Sequence, residues 1–205
     1  LIAAHMTESN KIGYIASFPI PEVIRGINAF MLEAKQHNPD VEVEIVWVFT
    51  WFDPAKEAAA AQALIDNGAD VIVQHTDSPA AMQIAENAGI KAFGQASDMS
   101  RFGPTAHLVS IVDDWDSYYV DRAIAVRDGT WEQQDTWWGL TKDGMGGETG
   151  MVVMGSYGNM PDNVMADAKA LEAALANGER HSFPCPVYMQ DGALADDCAA
   201  GEAHL

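Results

Sequence analysis

The stretch "WVFTWFDPAKEAAAAQALIDNGADVIVQHTDSPA", Trp47 to Ala80, contains two passages from an apolar run into a helix. The first run ends in Trp51 and Phe52, and Asp53-Pro54 then starts a helix. Aspartate is a favoured N-cap, and proline suits the first helical position because the N–H it lacks has no partner there. The alanine run has high helix propensity, and Asn67-Gly68 ends it. The second run, "DVIVQHT" (70–76), leads to Ser78 as a cap and Pro79 as first helical residue, with a stop at Asn87 to Gly89.

The same phrase recurs on either side. Further apolar runs are "KIGYIAS" (11–17), "VEVEIVWVFT" (41–50), "IKAFGQAS" (90–97) and "HLVSIVDD" (107–114). After Pro21, residues Val23, Ile27, Phe30, Met31 and Ala34 recur at helical spacing until Asn38-Pro39. Strands alternating with helices predict right-handed crossovers and an α/β fold, a parallel sheet flanked by helices on both faces. Beyond Asp114 the rhythm changes. "DSYYVDRAIAVRDGTWE" (116–132) predicts an amphipathic helix closed at Asp128-Gly129, "DTWWGL" (135–140) a short strand, and "KDGMGGETG" (142–150) a glycine-rich loop. "MVVMGSYG" (151–158) predicts a strand and "PDNVMADAKALEAALANGE" (161–179) a helix, and the tail has room for a small hairpin before it frays.

Composition narrows the partners. The 205 residues are 48% hydrophobic, which suits a packed core, and 30 acidic against 11 basic residues give a net charge of -19. That charge opposes nucleic acid and anionic membrane surfaces. There is neither an apolar run of about 18 residues nor a basic-then-apolar leader. The opening "LIAAHMTESN" reads as the middle of a helix, so upstream sequence is expected. Cys185 and Cys198 lie outside any CxxC spacing and are read as two unpaired thiols, a disulfide being the alternative.

In open parallel sheets, ligands bind beyond the carboxyl ends of the strands. Those ends carry Ser17-Phe18-Pro19, Thr50-Trp51-Phe52-Asp53, Gln74-His75-Thr76-Asp77, Gln95-Ala96-Ser97-Asp98 and Asp113-Asp114-Trp115. Rings can stack on a flat small molecule while carboxylates and amides pair with its rim. Phosphates fit badly, since there is no GxGxxG or GxxxxGK[ST] and the acidic ends repel anions.

Most of these residues also have a structural role open to them. Trp51 and Phe52 can cover a corner between helices, Asp53 is first a helix cap, and Asp98 can open a turn. Asp113 or Asp114 can cap the next helix, while Asp77 is left free if Ser78 does the capping. Ile20 is a poor cap before Pro21, which leaves the first helix N–H groups for water or ligand. Trp131, Trp137 and Trp138 are read as core or inter-lobe packing. His75 is read as pocket wall, because His5, His37, His107, His181 and His204 show no metal-ligand spacing with it. With no GxSxG, no Cys–His pair and no ligand cluster, the sequence predicts binding without catalysis, cofactor or metal.

The segments "KIGYIASFPIPEVIRGINAF", "WVFTWFDPAKEAAAAQALIDNGADVIVQHTDSPA", "AFGQASDMSRFGP" and "VDDWDSYYVDRAIAVRDGTW" resemble the basic membrane lipoprotein family over roughly residues 5 to 165. These are substrate-binding proteins of ABC importers, related to the bacterial purine nucleoside receptor. The resemblance implies a two-lobed, type 1 periplasmic-binding-protein-like fold. Purine bases or nucleosides lie in its inter-lobe cleft and are delivered to an ABC permease. It also implies a periplasmic or membrane-anchored extracytoplasmic place, and a monomer at full length.

Carried over residue by residue, the implied contacts are Phe18, Trp51, Asp77 and Asp98, with His75 and Gln95 beside them. Trp51 replaces a small residue found in other branches, which points to a bare, adenine-like base. Family members carry more sequence upstream. The chain is therefore expected to form one nearly complete lobe, residues 1–112 and 150–193, with 113–140 crossing to an incomplete partner lobe and 194–205 a frayed tail. A ligand-sensing domain of a transcription regulator with the same fold, or a nucleoside-processing enzyme using His75 and Asp77, are the alternatives.

Overall fold

Each of the first four strands is followed by a chain segment that returns over the sheet, so the first five strands all run the same way. The computed structural model describes residues 1–189, 191–201 and 203. In chain order the elements are α1 (Ile2–Met6), β1 (Lys11–Ala16), α2 (Pro21–His37), β2 (Glu42–Trp47), α3 (Pro54–Asp66), β3 (Val71–His75), α4 (Ala80–Ala88) and β4 (Lys91–Ala96). A single 3-10 turn (Ser100–Phe102), β5 (His107–Asp113), α5 (Asp116–Asp128), β6 (Val152–Met154), α6 (Asp162–Ala176) and α7 (Asp196–Ala199) follow. Among the described residues six strands make one sheet in the order β2-β1-β3-β4-β5-β6. β1 to β5 are parallel, and β6 is antiparallel to β5.

Strand alternation divides the core in two. Ile12, Tyr14 and Val73 pack with α1, α2 and α6 through Ile2, Val23, Ile27 and Val164. Ile15 and Ile72 pack on the opposite face with Leu64 of α3 and Met82 of α4. Leu64 and Met82 are fully buried, which is worth about 2 kcal/mol apiece. A Cβ on Gly13 would stand 2.8 Å from the Leu64 Cβ, so glycine is what lets α3 lie directly on β1.

The local signals act largely as predicted. Asp53 accepts the Lys56 amide at 3.1 Å as the cap of α3. α2 starts at Pro21 behind Ile20 with no side-chain cap, and Gly89 closes α4 in the left-handed region. α4 begins at Ala80, one residue later than expected. The Ser78 hydroxyl donates to Glu57 at 2.6 Å and accepts the Ala80 amide at 3.3 Å.

Several expectations need correcting. α5 is a helix ending at Gly129, but it is not amphipathic, because its apolar residues are consecutive and none is buried. "DTWWGL" forms no strand: the Gly139 carbonyl takes the Met151 and Val152 amides together, and regular pairing nearby is limited to an isolated antiparallel bridge between Thr141 and Thr149. Of the two roles expected for the tryptophans, the core one does not hold for Trp137, 81% exposed, or for Trp131. Cys185 and Cys198 form a disulfide, not two thiols. The chain turns back through a Tyr188–Leu194 antiparallel bridge and brings them together. The tail expected to fray holds α7, while His204 and part of that tail lie outside the described residues.

Candidate functional site

The carboxyl ends of β2, β1 and β3 lie side by side, and four rings follow one another across them. Phe18 stands 6.4 Å from Phe49 in an edge-on arrangement and 5.2 Å from Trp51, centroid to centroid. Trp51 stands 5.9 Å from His75. The tilted angles suit contact between a ring edge and a ring face. Trp51 remains 40% exposed and Phe49 61%, so the row presents apolar surface that the chain itself does not cover. Phe52 is 62% exposed and covers no corner between helices.

The loops bearing these rings are tied to the acidic end of β3. The Asp77 amide donates to the Trp51 carbonyl at 3.0 Å, and His75 Nδ1 lies 3.4 Å from the Ser17 hydroxyl. Among the described residues no hydrogen bond reaches the Asp77 carboxylate. Its pKa is raised by partial burial and by the Glu57 charge, with His75 opposing. Asp113, at the end of β5, is raised by burial and by Asp77, again with His75 opposing. Asp77, Asp113 and His75 therefore share one electrostatic neighbourhood. Neither Asp113 nor Asp114 caps α5, whose cap position is Trp115.

Asp98 is differently employed. Its carboxylate accepts the Ser100 amide at 2.9 Å and, from the segment after β6, the Ser156 amide at 3.2 Å and hydroxyl at 2.9 Å. Hydrogen bonding from Ser100, with Ser156 adding to it, holds its pKa far below the usual carboxylate range. Gln95 is half-buried and, with His75, helps line a cavity of about 400 Å³ under α1, α2 and α6. Tyr14, Phe30, Val73, Phe93 and Met154 make that cavity mainly apolar.

The structure thus brings Phe18, Trp51, His75 and Asp77 together, puts Gln95 in the lining of a cavity that His75 also lines, and ties Asp98 to Ser156. Sequence reasoning missed Phe49. It was counted within a strand, whereas β2 ends at Trp47 and Phe49 adopts a left-handed backbone with φ 53°. The aromatic spacing of residues 47, 49 and 51 was the signal that could have found it. Glu57 was also missed: it is wholly buried, with its carboxylate spanning the β2–α3 and β3–α4 turns. Among the described residues no group of three or more His, Cys, Asp or Glu is placed to hold a metal ion.

Comparison with known proteins gives this geometry a context. The chain is 52% identical over 192 residues to the purine-binding protein BAB2_0673 of Brucella abortus, covering 94% of this chain and 53% of the relative. It is 41% identical over 175 residues to TsgA13 of Haloferax volcanii, provisionally named an ABC transporter glucose-binding protein, covering 85% of this chain and 43% of that one. The chain thus spans about half the length of these curated relatives. In fold it resembles a solute-binding protein of an ABC transporter system from Aeropyrum pernix, with TM-score 0.67 and 17% identity, over 93% of this chain and 62% of the other. The family model described as ABC transporter substrate-binding protein PnrA-like matches residues 1–163, and the chain belongs to that family, Bmp.

Proposed function

We propose that this chain is the ligand-binding lobe of an extracytoplasmic solute-binding protein that delivers a purine base, adenine-like, or a purine nucleoside to an ABC permease without catalysis. One observation carries the reading: the row Phe18, Trp51 and His75 ends beside Asp77, whose carboxylate receives no hydrogen bond among the described residues. A purine offers what that arrangement lacks, a flat face for Trp51 and Phe18 and N–H donors for Asp77. His75 and Gln95 form the wall behind, and Asp98 acts from the β4 end, where its bonds to Ser156 fix the loop. The 52% identity to a protein named purine-binding supports the choice of ligand.

In this reading residues 1–112 and 150–193 are one lobe and 113–140 cross to another, with the ligand between lobes that close on it. Closure follows if the ligand touches both lobes more favourably in the closed state. The whole protein acts as a monomer.

The name of the Haloferax relative favours one second reading, a sugar stacked on Trp51 with its hydroxyls on Asp77 and Asp113. Calorimetry with adenine, adenosine, guanosine and glucose separates the two. Heat with a purine and none with glucose is the expected result; heat with glucose alone would overturn the purine reading.

A further inference from the structure

Glu57 lies in the first turns of α3 and is 0% exposed. A carboxylate in that position is tolerable only if donors replace the water it has lost. Three do. The Asp53 amide donates to Oε1 at 2.8 Å, and the Ser78 amide and hydroxyl donate to Oε2 at 3.2 and 2.6 Å. Asp53 closes the turn that carries Trp51, and Ser78 follows Asp77 directly, 21 positions along the chain from Glu57. The two carboxylate oxygens are therefore divided between the two turns that bear the ring and the acid. A second link, from the Asp77 amide to the Trp51 carbonyl at 3.0 Å, joins the same turns outside the carboxylate.

We propose that Glu57 is a positioning residue for ligand binding: its buried carboxylate locks the turn bearing Trp51 to the turn bearing Asp77, so that stacking face and hydrogen-bond acceptor stand at one fixed separation. The inference rests on the purine reading for what is positioned, but the lock itself is a property of the empty protein. A ligand that must meet a ring face and a carboxylate together binds more tightly when their spacing is set beforehand. Glu57 also acts on Asp77 through charge. The charged and titratable groups that bear on Asp77 are Glu57 from α3, His75 from β3 and Asp113 from the end of β5, and Glu57 is the stronger of the influences opposing Asp77 ionisation after burial itself.

Two variants separate tether from charge. Glu57→Gln keeps the shape but removes the charge and turns an NH2 toward a donor N–H whichever way the amide faces. Ser78→Ala keeps the charge and removes one tether. In the protein without ligand, carboxyl NMR titration of Asp77 and hydrogen exchange of the Asp77 and Ser78 amides are measured first. Glu57→Gln is expected to lower the Asp77 midpoint toward the ordinary carboxylate value and to speed both amides at least about tenfold. Ser78→Ala should speed exchange while leaving the Asp77 midpoint in place.

Adenine calorimetry then reads the consequence, with Kd at least about tenfold weaker in Glu57→Gln and stoichiometry unchanged. Unaltered exchange and titration in Glu57→Gln overturn the inference, as does an unaltered adenine Kd in a variant whose exchange has risen. If adenine gives no heat with the unsubstituted protein while exchange and titration respond as stated, the purine reading fails and the lock stands. Should Glu57→Gln fail to fold, Ser78→Ala alone decides: unchanged exchange overturns the inference.

Discussion

The Trp51 carbonyl accepts the Asp77 amide at 3.0 Å, so the turn after β2 and the turn after β3 are joined at the carboxyl edge of the sheet. The ring row and the acidic end of β3 are consequently parts of one surface. Chemistry assigned to either side of that bond has to be tested with the other side intact.

Trp51→Ala is expected to weaken purine binding roughly fivefold, matching an aromatic stacking contribution of about 1 kcal/mol. Phe52→Ala, at a ring that is 62% exposed and outside the ring contacts of the row, should leave affinity within about twofold. Titration calorimetry on both variants checks the contrast, and equal losses would remove Trp51 from its assigned role.

Asp77→Asn should stabilise the empty protein while weakening ligand binding. The folded-state pKa of Asp77 is raised, by burial first and the Glu57 charge second. A raised carboxylate contributes stability that is present below the unfolded pKa, near pH 4, and lost as pH rises through the folded value. Replacing it with a neutral amide therefore raises the melting temperature at neutral pH and leaves it nearly unchanged near pH 3. Thermal melts across that range read the sign directly; destabilisation at neutral pH would contradict it.

For Asp98 the sign reverses. Ser100 and Ser156 hold its folded pKa below the ordinary value, so its contribution is present above the unfolded pKa and lost as pH falls through the folded one. Ser156→Ala removes one of these donors, and Asp98→Ala removes the acceptor of all three bonds. Chemical denaturation at neutral pH should show Asp98→Ala the less stable of the two, by about 1 kcal/mol. As pH falls through the depressed folded value of Asp98, the difference should shrink.

Ala96 ends β4 in the left-handed region with φ 62°, a conformation that costs an L-residue roughly 1–2 kcal/mol. Glycine avoids that cost but gives back about 0.5–1 kcal/mol of chain entropy. Ala96→Gly is therefore expected to stabilise by up to about 1 kcal/mol, read as a higher denaturation midpoint at unchanged m-value. A lower midpoint would mean that the Ala96 methyl makes a packing contribution larger than the backbone strain.

Much of the fold was legible because its signals are local. Asp53-Pro54, Pro21 and Gly89 mark helix ends through their own backbone needs, and the five apolar runs became the five parallel strands. What could not be read depends on partners remote in sequence. Asp98 is met by Ser156, 58 positions away, and Glu57 by Ser78. Cys185 meets Cys198 only after the chain has doubled back at Tyr188 and Leu194. α5 misled for another reason, because consecutive apolar residues look amphipathic in a short window while no sheet face lies beneath them. In the site, strand ends located Phe18, Trp51, His75 and Asp77 together, whereas the left-handed turn at Phe49 falls inside an apolar run that reads as continuing strand, and only the aromatic spacing of residues 47, 49 and 51 hints at it.

Among the described residues the sheet ends at β2 and β6, and the two edges discourage strand addition by different means. β6 is only three residues long and gives another chain little to zip onto. β2 is six residues long but carries Glu42 and Glu44, so a second copy adding there would set like charges together. That protection is electrostatic and weakens as salt shortens the screening distance to about 3 Å at 1 M. High ionic strength is accordingly the condition in which the like-charge repulsion guarding β2 is weakest.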